Sequence, residues 1–221
     1  MPIGFRGFAR LATDATLPAL FHGLPTSNIS DCMSRLTGPL GLPPRHRSGD
    51  MYGTALTVRV RAGDNLMIHR ALQLGQPGDV LVVDGGGCIE RALVGEIMKA
   101  VAQSRGFVGF VIDGAIRDLR AFEADDFPCY ARDVSHRGPY KDGPGEINVP
   151  ITIGGSVVHP GDIVVGDRDG VVFIPAAEAQ EVAAAAKRKA EMEAEVLKGI
   201  AAGRYDDNWI SKVLAEKGVA S

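Results

Sequence analysis

The chain has 221 residues, 45% of them apolar and 23% charged, and a formal charge of −3 at pH 7. That is enough length for one substantial core, without the basic surplus that nucleic-acid binding draws on, so neither RNA nor DNA is expected as the main ligand. No apolar run approaches the roughly 20 residues that span a bilayer, and MPIGFRGFARL lacks the apolar run and cleavage site of a signal peptide, so a cytoplasmic protein is expected.

Twenty-eight glycines and thirteen prolines divide the apolar residues into short runs, the pattern of many strands joined by tight turns. Helices are expected near 14–22 and 27–37. GTALTVRV (53–60) alternates, with Leu56, Val58 and Val60 on one face and Thr57 and Arg59 on the other, which reads as a half-exposed strand. Asp64 is placed as the N-cap of a helix over 65–74. VLVV (80–83), GFVI (109–112), IVV (163–165) and VVFI (171–174) are continuously apolar, as strands buried on both faces are.

QPGDVLVVDGGG (76–87) and HPGDIVVGDRDG (159–170) share a Pro-Gly-Asp turn that feeds a buried strand, and Pro followed by Gly suits a type II turn. Further helices are expected at 95–105, 118–124 and, after Pro175, 176–202. The tail carries the only tryptophan, Trp209, on a short amphipathic segment that calls for the protein body or a neighbouring subunit to cover it. No linker signal divides the chain, which reads as one α/β domain over 1–221 with a C-terminal helix and tail from about 176.

Three cysteines (Cys32, Cys88, Cys129) lie far apart without CxxC spacing and read as reduced small hydrophobes. Five scattered histidines argue against a zinc site, and carboxylate and water oxygens are the better candidates for holding a metal. There is no GxSxG elbow, Walker loop or dinucleotide GxGxxG. DGGG (84–87) is either an anion nest or a sharp strand exit. Gly95 precedes a helix whose first N–H groups, on Glu96, Ile97 and Met98, would suit a carboxylate or phosphate. Arg117 and Asp118 stand side by side where an apolar strand ends; Asp118 is either the cap of the following helix or part of a site.

The long C-terminal helix holds a further anomaly. At 100° per residue Val182, Ala186, Leu197 and Ile200 fall within about 40° of one line, and Glu193 lies at the centre of that stripe. Glu191 points the opposite way. A carboxylate in an apolar stripe needs a charged or hydrogen-bonding partner, either a basic residue or a metal and its waters.

GDVLVVDGGG (78–87), RALVGEIM (91–98), GFVIDGAIRD (109–118) and VHPGDIVVGDRDGVVFIP (158–175) together resemble the RraA-like family. The likeness runs from about Ser30-Asp31 through Pro175, and its larger branch is the 4-hydroxy-4-methyl-2-oxoglutarate (HMG) and 4-carboxy-4-hydroxy-2-oxoadipate (CHA) aldolases. The resemblance implies an α/β/β/α sandwich of layered sheets flanked by helices, assembled as trimers or hexamers, with an extended C-terminal helix packing on a neighbouring subunit. It implies a class II pyruvate aldolase dependent on Mg²⁺ or Mn²⁺, acting on a 4-hydroxy-2-oxo acid, with oxaloacetate decarboxylation as a second activity. Asp118 would bind the metal directly and Arg117 the keto oxygen that becomes the enolate. Glu96, and Glu193 from a neighbouring subunit, would hold the water around the ion. The amides of Ile97 and Met98, after Gly95, would grip the substrate carboxylate. Arg91, His136 and Arg137 are either contacts for a distal carboxylate or solvated loop residues.

Two other functions attach to the family. One is a non-catalytic regulator that binds the ribonuclease E machinery; its smaller members lack most of the C-terminal helix and commonly lose the metal-binding Asp, whereas this chain has Asp118 and Glu193. The other is an S-adenosylmethionine-dependent demethylmenaquinone methyltransferase, which the absence of a GxGxG cofactor loop disfavours.

Overall fold

The computed structural model describes residues 4–7 and 13–219. Its elements are β1 (Phe5–Gly7), a 3-10 turn (Leu17–Phe21), α1 (Thr26–Cys32), β2 (Met51–Val60), α2 (Leu66–Leu74), β3 (Asp79–Val94), α3 (Glu96–Ser104) and β4 (Gly109–Ile116). There follow α4 (Leu119–Phe122), β5 (Cys129–Val134), β6 (Gly145–Ile147), β7 (Ile151–Ile153), β8 (Ser156–Val158), β9 (Ile163–Gly166), β10 (Val171–Ile174), α5 (Ala179–Ala201) and α6 (Asn208–Glu216). Contacts group the chain into two units, Met1–Ala186 and Lys187–Ser221.

In the first unit the main sheet runs β1-β6-β2-β3-β4-β5. Strands β2 to β5 are parallel neighbours, and the free edge of β2 is shared by β6 and β9, with β10 antiparallel to β9. Alternation along β3 shows how the layers form. Leu81 and Val83 join Ile68, Leu72, Ala102, Ile112 and Phe122 in a core beneath α2, α3 and α4. Val80 and Val82 face the other way, packing with Val111 and Tyr130 against Ile151, Val158, Val164 and Phe173 of β7 to β10. The outer side of β9 and β10 (Ile163, Val165, Val172, Ile174) is covered by Phe21, Ile29 and, from α5, Ala179, Val182, Ala183 and Ala186. The result is the expected α/β/β/α layering, in which each fully buried aliphatic side chain contributes about 1.5–3 kcal/mol.

The four continuously apolar runs are all buried strands. Both Pro-Gly-Asp turns are one device: Gly78 and Gly161 take φ of +89° and +91°. Asp79 and Asp162 each accept the N–H three residues earlier at 2.8 Å, from Gln76 and His159.

Several expectations are corrected. Strand β2 is not half-exposed, since Thr57 is fully buried with its Oγ1 donating to Val149 O at 2.7 Å; only Arg59 faces out. The helix expected at 14–22 is a short 3-10 turn. The helix expected over 27–37 ends at Cys32, because Ser34 and Arg35 both take φ of +59° and break the right-handed path. Asp64 lies one residue before the N-cap position, which Asn65 fills, although its Oδ1 still accepts Leu66 N at 2.9 Å. DGGG is not a strand exit: β3 continues to Val94, with register shifts against β4 after Asp84.

In the second unit, Glu193 finds its charge partner one turn back, with Lys189 Nζ at 3.2 Å. Trp209 lies on α6, as expected of the amphipathic tail, and is 57% exposed.

Candidate active site

Strands β3 and β4 are parallel neighbours, and their last residues, Val94 and Ile116, are paired. The two segments leaving them, Gly95-Glu96 and Arg117-Asp118, therefore emerge side by side at the carboxyl edge of the sheet. That edge is where parallel α/β sheets place their ligand sites. The Arg117 N–H donates to Val94 O at 3.0 Å and fixes the pair of exits.

Asp118 takes a left-handed conformation (φ 56°, ψ 44°) and makes no side-chain cap to its own helix α4. Its Oδ2 instead accepts the Glu96 N–H at 3.0 Å, at the start of α3. Arg117 Nε stands 3.6 Å from the same oxygen, and both side chains are 43% exposed. Gly95 is required here by space and not by dihedral angle, since its φ of −156° is open to any residue. A Cβ at that position would lie 2.5 Å from Asp118 Oδ2 and 2.9 Å from Arg117 Cγ. Glycine is what lets a carboxylate and a guanidinium approach the helix start.

The first-turn N–H groups of Ile97 and Met98 have no helical carbonyl within reach and carry the positive end of the α3 dipole. They open on a cleft of about 250 Å³ lined on this side by Gly95, Ile97, Met98 and Arg117. Sequence reasoning did not single out the opposite wall, which is built from Asn65 and His69 of the α2 region and from Gly138, Pro139 and Lys141 of a loop. Burial and, to a lesser degree, the Lys141 charge hold the His69 imidazole below its ordinary pKa. Asn65 is buried, donating to Leu93 O at 2.9 Å, while its Oδ1 meets no donor among the described residues.

Arg91 does not line the cleft and is engaged within the chain. It donates to Gly138 O and the Tyr140 hydroxyl, each at 2.8 Å, and stacks 4.1 Å from the Tyr140 ring centre. The buried Asp64 accepts Asp142 N and Gly143 N at 2.7 and 2.9 Å. These contacts pin the loop that carries Lys141. His136 and Arg137 are exposed and do not line the cleft.

The structure thus brings together Gly95, Glu96, Ile97, Met98, Arg117 and Asp118, six of the seven residues expected around the metal and the keto-acid group. Glu193 belongs to the other unit. Among the described residues no group of three or more His, Cys, Asp or Glu forms a ready-made metal cage. Asp118 and Glu96 at one helix start are nonetheless the donor set suited to Mg²⁺ or Mn²⁺ that keeps several waters and shares its shell with substrate. Among the described residues no helix is long and apolar enough to cross a membrane.

A layered α/β protein with a site at paired strand ends is a class shared with many enzymes. The chain belongs to the RraA-like family: the model described as "Aldolase/RraA" matches residues 26–173. A protein of Halalkalibacterium halodurans named "Putative 4-hydroxy-4-methyl-2-oxoglutarate aldolase" is 42% identical over 170 residues, 76% of this chain and 81% of that one. Among solved structures, an uncharacterized protein from Pseudomonas syringae superposes with a TM-score of 0.79 at 25% identity, covering 87% of this chain and 96% of that one. The RNA-processing inhibitor RraA from Thermus thermophilis superposes with a TM-score of 0.63 at 29% identity, covering 68% and 92%.

Proposed function

We propose that the protein is a divalent-metal-dependent class II pyruvate aldolase. It would cleave HMG or CHA to pyruvate and a second keto acid, with oxaloacetate decarboxylase as a side activity. One observation carries the reading: the Asp118 carboxylate and the Arg117 guanidinium meet at the open N-terminus of α3, beside the cleft.

In this reading Asp118 would hold Mg²⁺ or Mn²⁺, which would supply Lewis acidity to the 2-keto acid. Ile97 and Met98 receive the C1 carboxylate on their N–H groups, as helix N-termini receive anions. The C4 hydroxyl loses its proton and C4 becomes a carbonyl carbon. The C3–C4 bond breaks, and its electron pair passes into the enolate of pyruvate. Arg117 stands where the negative charge grows on the C2 oxygen and stabilises it without moving. Glu96, with Glu193 from a neighbouring subunit of a trimer or hexamer, orders the surrounding water and passes on the hydroxyl proton. Protonation at C3 completes pyruvate. Oxaloacetate reaches the same enolate by losing CO₂, so the same groups serve both reactions. The extended C-terminal helix is assigned to packing on that neighbour, in a cytoplasmic homo-oligomer whose partner molecules are small keto acids.

The test is pyruvate release from HMG, CHA and oxaloacetate, with Mg²⁺ or Mn²⁺ and then with chelator. Turnover that survives chelation unchanged overturns the metal dependence. Failure to cleave any of the three acids favours the other reading, a regulator that binds ribonuclease E, which the likeness to the Thermus RraA supports.

A further inference from the structure

Helix α3 carries a lysine where a lysine is costly. Lys99 is 4% exposed, and a buried ammonium needs a carboxylate and further acceptors to offset its lost hydration. Its Nζ lies 2.7 Å from Asp125 Oδ1, donates to Ala121 O, and sits 5.7 Å from the Phe122 ring centre. All three partners belong to the segment that follows Asp118. One turn further along α3, Gln103 Nε2 donates to Asp125 Oδ2 at 3.1 Å. Asp125 Oδ1 also accepts Phe127 N at 3.1 Å. Lys99 does not line the cleft.

These contacts close a ring. Asp118 Oδ2 accepts Glu96 N at 3.0 Å, Lys99 lies three residues along the same helix, and it holds the carbonyl of Ala121. The Ala121 N–H donates back to Asp118 O at 2.8 Å. Asp118 occupies the left-handed region, which a non-glycine residue keeps only where its surroundings hold it. On one side it is held by strand β4, through Arg117 N to Val94 O. On the other side the Lys99 ring holds it.

We propose that Lys99 is a positioning residue for Asp118: the pair its buried ammonium makes with the half-exposed Asp125 tethers 119–125 to α3 and sets where the Asp118 carboxylate stands at the α3 N-terminus. With Asp125 half-exposed the pair adds little to stability, but a buried ammonium must find its acceptors where they stand, which specifies one arrangement of the two segments. The consequence for metal affinity rests on the reading of Asp118 as the ion's ligand; the tether itself does not.

The test compares the full-length protein with Lys99→Met, the more exposed Asp125→Asn, and Lys99→Arg. The readouts are backbone hydrogen exchange and the Mn²⁺ dissociation constant from the spin resonance of free Mn²⁺. In Lys99→Met and Asp125→Asn, exchange at Glu96 and Ala121 should rise while the amides of 80–83 and 109–113 keep their protection. Mn²⁺ should bind about tenfold more weakly, the scale on which supporting residues around a metal act, and Lys99→Arg should recover part of the loss. Exchange that rises uniformly, or stays at the wild-type pattern in both variants, overturns the positioning role. A wild-type protein that binds no Mn²⁺ sinks the metal reading instead, and the exchange pattern still decides the tether.

Discussion

Asp118 Oδ2 accepts the Glu96 N–H at 3.0 Å, so this carboxylate caps the helix beside it and not the helix it precedes. Capping and ion binding are therefore compatible: one oxygen faces the α3 N-terminus, and a carboxylate has lone pairs for more than one partner. Asp118→Asn separates the two roles. An amide oxygen can still accept Glu96 N, so thermal stability should stay within about 1 kcal/mol of wild type. The charge is lost, and aldolase turnover should fall by about 10²-fold or more, with weaker Mn²⁺ binding. Turnover near wild type in Asp118→Asn would leave only the cap.

Gly95→Ala tests the same place from the other side. The atoms a Cβ would meet first are Asp118 Oδ2 and Arg117 Cγ, in two half-exposed side chains that can swing away. The loss of stability should be small, about 1 kcal/mol or less by denaturant titration, because no core packing is disturbed. Activity should fall about tenfold or more, since the displaced groups are those proposed to hold the metal and the keto acid. A large stability loss with normal activity would reverse this account.

The layers and half of the site were legible in the residues. Continuously apolar runs such as VLVV and GFVI, bounded by turn residues, read as strands covered on both faces, and Gly95-Glu96 announces a helix start. The opposite wall was not legible. Asn65, His69 and Lys141 lie in two segments far apart in sequence, and only the fold brings them to one cleft. Thr57 misled because its hydroxyl is satisfied by a carbonyl from a distant loop, Val149, which periodicity cannot see. Ser34 and Arg35 misled because a left-handed backbone at ordinary residues leaves no compositional mark.

Arg91, which the sequence leaves open between a substrate contact and a solvated loop residue, supports the wall. Arg91→Ala removes two hydrogen bonds and a stacked guanidinium from the loop that carries Lys141. The cleft should lose definition before it loses chemistry. The expected result is a KM raised several-fold with kcat changed less, because Arg117 and Asp118 are untouched. A fall in kcat at constant KM would place Arg91 at the reacting atoms.

His69 gives the site a pH signature. Burial first, and the Lys141 charge second, hold its pKa below the ordinary value of about 6.5. The unfolded chain then takes up this proton before the folded one does. The contribution to stability is present in full above about pH 6.5 and is lost as pH falls from there to the folded pKa, below which nothing further changes. The imidazole signal of His69, followed by NMR against pH, should titrate below 6.5. Lys141→Ala removes one like charge and should move the midpoint upward, though not all the way, because burial is the larger cause and is left in place. A midpoint that does not respond to Lys141→Ala would separate the two side chains and remove the cationic character assigned to that wall of the cleft.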